Sequence, residues 1–401
     1  MNLKAGYPFS LIKNGLVANY PKLEKDLRTD VVIMGGGISG ALAAHYMIRK
    51  NIPCVIVDAR SIGLGSSCAS TSLLQYEIDI PLYRLTELIG KEAASRSYWL
   101  CKEAIDILIE LAAEIGFADI QKKKSLYYAA AKKDVAGLKK EFVARKKQGF
   151  KVQYLEDAAV FEKASIYAPA AILSADAAQT DAYMFTHSLL QHNIKKGLQV
   201  YDRTTIRTIT HTSKGVALLA ENGYRIKAGK LIYATGYEVV KYIDKPIVKL
   251  QSTYATISET LSLERPYWND DMLIWNTADP YLYMRTTPDN RIIVGGRDED
   301  FYSPHKRDVL IAAKTKKLTN DFRKVFPHIN LLPEFSWTGT FGSTKDGLPF
   351  IGSYKKLPNS YFALGFGGNG ITFSLIAAEI IADLITGKKN ADTSIFSFDR
   401  V

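Results

Sequence analysis

The chain has 401 residues, 47% of them hydrophobic and 11% aromatic, which is enough to bury a large core across two domains and excludes a disordered chain. Its formal net charge of +11 implies a surface that attracts anions. The basic runs at 122–124, 139–140, 145–147 and 195–196 nevertheless read as solvated helix faces and loops, so nucleic acid is not the expected partner. Three cysteines, Cys54, Cys68 and Cys101, lack C-x-x-C spacing, which suits a reducing compartment and argues against a structural zinc site. The first residues lack the charged-then-apolar pattern of a secretory signal, so the expected compartment is the cytoplasm.

In chain order, residues 31–34 form a continuous apolar strand, 38–50 a helix and 54–58 a second apolar strand. That is a βαβ unit whose sheet is covered on both faces, the start of a Rossmann domain. Apolar residues then recur at helical spacing from 82 to 116, as at Ile105, Leu108, Ala112 and Ile115, followed by a strand at 125–130 and a basic helix at 132–147. Residues 181–196 are helical and stop at Gly197, and short strands follow at 200–201, 206–210, 216–220 and 224–226, with Asn222-Gly223 as a hairpin turn. Another buried strand spans 231–235. Segments 248–258, 282–286 and 291–294 alternate with turns such as Thr287-Pro288-Asp289-Asn290, the pattern of an antiparallel sheet. The most apolar stretch, 361–384, carries four glycines plus Glu379 and Asp383, so no membrane span is expected.

Two glycine-rich turns each join an apolar strand to a helix. In Gly35-Gly36-Gly37-Ile38-Ser39-Gly40, Gly35 permits a tight bend, Gly37 lets the backbone approach a pyrophosphate, and Gly40 lets helix and strand pack closely. Phosphates would meet the helix N-terminus, where unpaired N–H groups and the dipole favour anions. Asp58 closes the second strand, 21 residues after Gly37, where it can accept hydrogen bonds from a ribose. To this point a structural turn, an NAD site and an FAD site are all open. The second turn, Gly365-Phe366-Gly367-Gly368-Asn369-Gly370, opens a helix that runs to about Ile385.

Further motifs decide between them. Ala234-Thr235-Gly236 closes a strand, and Asp346-Gly347-Leu348-Pro349-Phe350-Ile351-Gly352 precedes the second glycine turn. With Tyr20-Pro21, Gly63-x-Gly65-x-Ser67, Thr287 to Arg291, Gly295-Gly296 and Ile395-Phe396-Ser397-Phe398-x-Arg400, this order resembles the D-amino-acid oxidase superfamily of FAD-dependent oxidoreductases over nearly the whole chain. Within it the chain is most similar to the glycine/sarcosine oxidase and gamma-glutamylputrescine oxidase-like members. The resemblance implies an α/β fold in which a Rossmann-type FAD-binding domain (1–80, 168–240 and 336–401) is interleaved with an α+β substrate domain on a mostly antiparallel sheet (81–167 and 241–335).

It also implies residue roles. Gly35, Gly37, Ile38, Ser39, Gly40, Asp58, Ala59, Arg60, Ser66 and Ser67 would hold the ADP half of FAD, and the Ile206 backbone would read the adenine. Ala234, Thr235 and Gly236 would pass under the cofactor. Backbone N–H groups from Gly367, Gly368, Asn369, Gly370, Ile371 and Thr372 would face the flavin, where the helix dipole stabilises its anionic reduced form. Covalent relatives use a Cys before the position of Asp346 or a His after the first ribose-binding Asp; here 338–343 and 66–72 offer only Cys68, so FAD is expected to be non-covalent.

The implied activity is oxidation of the C–N bond of an amine or amino acid by hydride transfer to flavin N5, the imine then being hydrolysed, with oxygen or a quinone-type molecule as electron acceptor. Where relatives clamp a substrate carboxylate with an Arg or a Lys, this chain has Phe341 and Thr372. Candidate substrate residues are Arg285, as an anion-binding group, and Tyr283 on the same alternating strand. Arg297 is a weaker candidate because Asp298 and Glu299 can pair with it on the surface, and Tyr254 and Gln75 are placed near the cofactor by position. His45 reads as a packing residue. Ile293, where some sarcosine oxidases carry an oxygen-activating Lys, leans towards a dehydrogenase. Two other functions fit the same motifs: a flavoprotein that modifies tRNA, given the basic charge, and a flavin-carrying subunit without turnover of its own.

Overall fold

The computed structural model describes residues 1–262 and 266–400. Its first sheet is mostly parallel and runs, edge to edge, through Phe350–Ser353, Ser360–Leu364, Arg225–Tyr233, Leu27–Met34, Cys54–Val57 and Gln199–Tyr201. In the central strand only the last four residues, Val31 to Met34, are buried throughout, which matches the continuous apolar run there. Register aligns the carboxyl ends of three strands, with Met34 opposite both Val57 and Tyr233. Gly35, Asp58 and Ala234 therefore leave the sheet side by side at one edge, the edge at which doubly wound sheets bind ligands.

Two helices, Ile38–Arg49 and Gly370–Ile385, pack against each other on this sheet, one from each end of the chain. Polar ties run along their seam: Ser39 to Ser374 at 2.6 Å, Tyr46 to Glu379 at 2.8 Å and Lys50 to Asp383 at 3.2 Å. The Asn222-Gly223 turn forms as expected, with Gly223 at φ 92° joining Gly215–Ala220 to Arg225–Tyr233. The short strand expected at 224–226 and the one at 231–235 are a single strand.

Among the described residues, the second sheet has ten strands and is mostly antiparallel. Its order is Lys4–Gly6, Pro333–Ser343, Lys249–Ser258, Ile292–Glu299, Tyr283–Thr286, Leu273–Asn276, Ile120–Tyr128, Ala170–Thr180 and Leu73–Gln75, with Val152–Glu156 also paired to Ala170–Thr180. One face packs Met284, Ile292 and Val294 against Leu318 and Phe322 of the helix Ile311–Val325. The other face turns towards the first domain. Four of its strands, Lys4–Gly6, Leu73–Gln75, Ala170–Thr180 and Pro333–Ser343, contain residues that the expected division gives to the FAD-binding domain, yet they hydrogen-bond into this sheet. Strand pairing, which needs partners distant in sequence, places them there.

Two local expectations change. The helix expected over 82–116 is broken at Gly90, whose φ of 86° no helix accommodates, into Leu82–Ile89 and Lys91–Glu114. Arg145, expected on a solvated face, is buried: it donates to Glu141 at 2.6 Å and to Glu77 at 3.1 Å, and its guanidinium lies 5.7 Å from the Tyr76 ring centroid. A buried carboxylate such as Glu77 requires a countercharge, and Arg145 supplies it. No described helix is long and apolar enough to cross a membrane.

Candidate functional site

A cavity of about 500 Å³ runs between the two sheets, from the Gly35–Gly40 turn to the start of the Gly370–Ile385 helix. Gly35, Gly37, Ile38, Ser39, Asp58, Ala59, Arg60, Ser66, Ser67, Ile206, Ala234, Thr235 and Gly236 all line it. Gly40 does not. A Cβ there would stand 1.9 Å from the Gly35 carbonyl oxygen, so its hydrogen lets the helix close on the turn.

At this end the donors and acceptors are arranged by the turn itself. The Asp58 carboxylate accepts from the N–H of Gly36 at 2.7 Å and of Arg60 at 2.8 Å. Burial raises its pKa, and those two donors act against the rise. Ser67 Oγ accepts the Ile38 N–H at 2.9 Å, which caps the helix start. The hydroxyls of Ser66 and Thr235 are buried, line the cavity and have no protein partner. Unpaired buried hydroxyls of this kind imply a polar ligand along the wall. Arg60 donates to Glu238 at 2.6 Å and to the Met1 carbonyl at 2.7 Å, and the Met1 amino group pairs with Glu238 as well.

At the other end Gly367, Gly368, Asn369, Gly370, Ile371 and Thr372 line the cavity, but their amides are not equivalent. The Gly367 N–H donates to the Gly342 carbonyl at 3.0 Å, Gly368 to Asp79 at 3.0 Å and Asn369 to the Phe366 carbonyl at 3.2 Å. The first-turn amides of Gly370, Ile371 and Thr372 have no intrahelical acceptor by helix geometry and are the ones free for a ligand. The Thr372 hydroxyl donates to the Asn369 carbonyl at 3.0 Å. Asp79 also accepts from the Tyr281 hydroxyl at 3.3 Å and so ties the second sheet to this turn.

The second sheet closes this end with Thr253, Tyr281, Tyr283, Asp298 and Phe341. Tyr283 lies across Gly295, where a Cβ would come within 2.3 Å of its ring. Burial pushes its phenol up to about 12. Asp298 arrives by a bulge: register jumps between Ser252, opposite Glu299, and Tyr254, opposite Gly296, while Gly296 and Arg297 take φ of 132° and 59°. A bulge re-aims the side chains that follow it, and here it turns Asp298 into the cavity beside Thr253. Arg297 instead pairs with Asp321 through two contacts of 2.6 Å, and Lys314 takes Glu299 at 2.5 Å. Asp298 is thus not the surface partner of Arg297 that the sequence suggested. Its pKa is raised to about 7, chiefly by desolvation.

Two candidates leave the site. Arg285 shares a face with Tyr283 but lies two residues further along, beyond the cavity. Its guanidinium donates to the carbonyls of Thr71 at 2.6 Å, Thr286 at 3.1 Å and Thr180 at 3.4 Å, so it fixes the Thr71–Ser72 wall and is not an open anion site. Tyr254 touches the wall, but strand alternation sends its ring to the opposite face. There its hydroxyl donates to the Arg307 carbonyl at 3.4 Å and Lys314 Nζ sits 5.0 Å from its ring centroid. Gln75 lines the cavity and donates to Ser125 at 3.0 Å, and Ile293 is buried in a separate apolar cluster. Sequence reasoning missed Asp79 and Tyr281. The one available signal for Asp298 was the Gly295-Gly296 pair interrupting a strand, a known mark of a bulge.

The sequence model of the DAO family, described as FAD dependent oxidoreductase, matches residues 30–384. A D-amino acid dehydrogenase of Neisseria meningitidis is 25% identical over 429 aligned residues, covering 92% of this chain and 98% of that protein. The gamma-glutamylputrescine oxidoreductase of Escherichia coli (strain K12) is 24% identical over 380 residues, covering 92% of this chain and 86% of that one. Among solved structures, glycine oxidase from Geobacillus kaustophilus superposes with a TM-score of 0.78 at 20% identity, covering 94% of this chain and 99% of that chain, which is a likeness of fold.

Proposed function

The chain belongs to the DAO family of FAD-dependent oxidoreductases, and from that premise we propose that it oxidises the C–N bond of an amine or amino acid, with FAD held non-covalently. The observation that carries this reading is the single cavity joining the dinucleotide turn to the N-terminus of the last helix, lined there by Tyr281, Tyr283 and Phe341. The residues suit FAD. Amides at Gly37 and Ser39 would serve the pyrophosphate, Asp58 the ribose and the Ile206 backbone the adenine, with the Ile38 amide already held by Ser67, and the unpaired hydroxyls of Ser66 and Thr235 would receive polar groups along the way.

When bound, the flavin supplies the hydride acceptor for the carbon next to nitrogen. The protein supplies the rest. Amides of Gly370, Ile371 and Thr372 present the positive end of a helix to the redox end, and the tyrosine wall orients the substrate and keeps water from it. Non-covalent binding is supported by Cys68, which is buried, hydrogen-bonds the Gly65 carbonyl at 3.4 Å, does not line the cavity, and has its thiol pushed up to about 11 by burial. A thiol so disfavoured as thiolate is a poor nucleophile.

The test is anaerobic bleaching of the holoenzyme by a panel of amines, amino acids and gamma-glutamyl amines. At least one member bleaches the flavin; if none does, the substrate class is wrong. Acid or heat precipitation leaves the colour in solution, and colour retained by the washed pellet would refute the non-covalent assignment. Reoxidation of reduced flavin by oxygen, compared with quinones, then identifies the acceptor.

A further inference from the structure

The charges lining the cavity are divided between its ends. Its cations, Arg60, Lys241 and the Met1 amine, come from the segments around Asp58 and Glu238, and Arg60 and Met1 are already paired with Glu238. At the opposite end, among the described residues that line the cavity, the only ionisable group of low intrinsic pKa is Asp298. Its Oδ1 is buried with no hydrogen-bond partner. The cation that opposes its charge, Lys314, is committed to Glu299 and to the Arg297 carbonyl at 2.6 Å, and the neighbouring Arg297 is paired with Asp321. Asp79, close by, adds a second carboxylate to the same field.

A carboxylate held out of water without a countercharge is costly, and a ligand cation is the partner that removes the cost. The surrounding surface suits one. Tyr281 and Tyr283, with ring centroids 5.8 Å apart, offer faces that attract cations, and Phe341 adds a third ring to the wall. A substrate carboxylate finds the reverse. Arg285, two residues beyond Tyr283, is bonded to three backbone carbonyls outside the chamber, Arg297 is paired with Asp321, and Thr372 donates to Asn369.

We propose that the chamber at the Gly370 end selects a cationic amine that carries no carboxylate at its reacting carbon, its ammonium group received by Asp298 and walled by Tyr281, Tyr283 and Phe341. This rests on the amine-oxidising reading above and narrows it to one substrate class. Asp298 here is a specificity group: it accepts hydrogen bonds from the ammonium and repels anions.

A matched pair of ligands tests it without turnover. tert-Butylammonium has no hydrogen on the carbon next to nitrogen and cannot be oxidised, and pivalate has the same shape with the opposite charge. Each is titrated into the holoenzyme at pH 8 while the visible flavin spectrum is followed. tert-Butylammonium gives a saturable perturbation, and pivalate binds at least ~10-fold more weakly, the factor corresponding to about 1.4 kcal/mol. Asp298→Asn retains its flavin and removes that preference. The proposal is overturned if pivalate binds as well as tert-butylammonium, if neither perturbs the wild-type flavin, or if Asp298→Asn binds the cation as the wild type does. Should the variant not retain flavin, the two wild-type titrations decide alone. The bleaching panel separates this inference from its premise: flavin bleached by α-amino acids but not by simple amines leaves C–N oxidation standing and removes the cationic chamber.

Discussion

Holding an unpaired carboxylate at Asp298 has a thermodynamic signature that can be measured without any ligand. Its pKa rises from an ordinary 3.8 to about 7, with desolvation as the first cause, the nearby Asp79 and Asp279 adding to the rise and Thr253 and Lys314 opposing it. Because the folded-state pKa lies above the unfolded one, its contribution is fully favourable at low pH and is lost as pH rises towards 7. A shift of this size corresponds to roughly 4 kcal/mol at about 1.4 kcal/mol per pKa unit, an upper figure for a group that is only partly buried. Asp298→Asn keeps the shape and the acceptor for Thr253 and deletes the charge. Wild type and variant should therefore unfold alike near pH 4, and at pH 8 the variant should be more stable by about 2–4 kcal/mol. Urea unfolding followed by circular dichroism at the two pH values measures the gap. A gap that does not grow with pH, or a variant less stable than wild type at pH 8, would refute the placement of Asp298 as a desolvated, unpaired carboxylate.

Other substitutions probe the rest of the site. Arg285→Met removes the 2.6 Å donor to the Thr71 carbonyl, at about 1–3 kcal/mol for a buried group left unpaired; the urea midpoint falls while the ratio of tert-butylammonium to pivalate affinity is unchanged, whereas an anion-binding Arg285 would change that ratio. Gly40→Ala puts a Cβ 1.9 Å from the Gly35 carbonyl oxygen, so the purified protein is expected to lose its flavin, read as the 450 nm absorbance per protein. Gly295→Ala places a Cβ 2.3 Å from the Tyr283 ring and tips that ring into the chamber. Flavin content stays at wild-type level and the affinity for tert-butylammonium drops by about 10-fold, a change worth about 1.4 kcal/mol.

Those variants fall on both sides of what the sequence made readable. The Gly40 contact was legible because a βαβ turn is a local object: strand, turn and helix lie within 30 residues, and close packing of helix on turn demands glycine there. The same locality explains Asp58, which register places beside Gly35. The domain division was harder because Ala170–Thr180 and Pro333–Ser343 acquire their sheet only from partners far away in the chain, such as Ile120–Tyr128 and Lys249–Ser258.

The substrate end depends on something sequence alternation conceals. Reading Tyr283 and Arg285 as a same-face pair was correct for the strand, yet a step of two residues is about 7 Å, enough to carry Arg285 out of the cavity and onto backbone carbonyls. Tyr254, judged by position alone, falls on the wrong face by the same period of two. Asp298 escapes the period altogether. Had Ile292–Glu299 continued without its bulge, Asp298 would share a face with Val294 and Gly296, the face of the helical layer, and the carboxylate would meet Leu318 and Phe322 instead of the chamber. The irregular backbone at Gly296 and Arg297 is therefore what sets the sign of the charge at the substrate end, and with it the choice between a cationic and an anionic ligand.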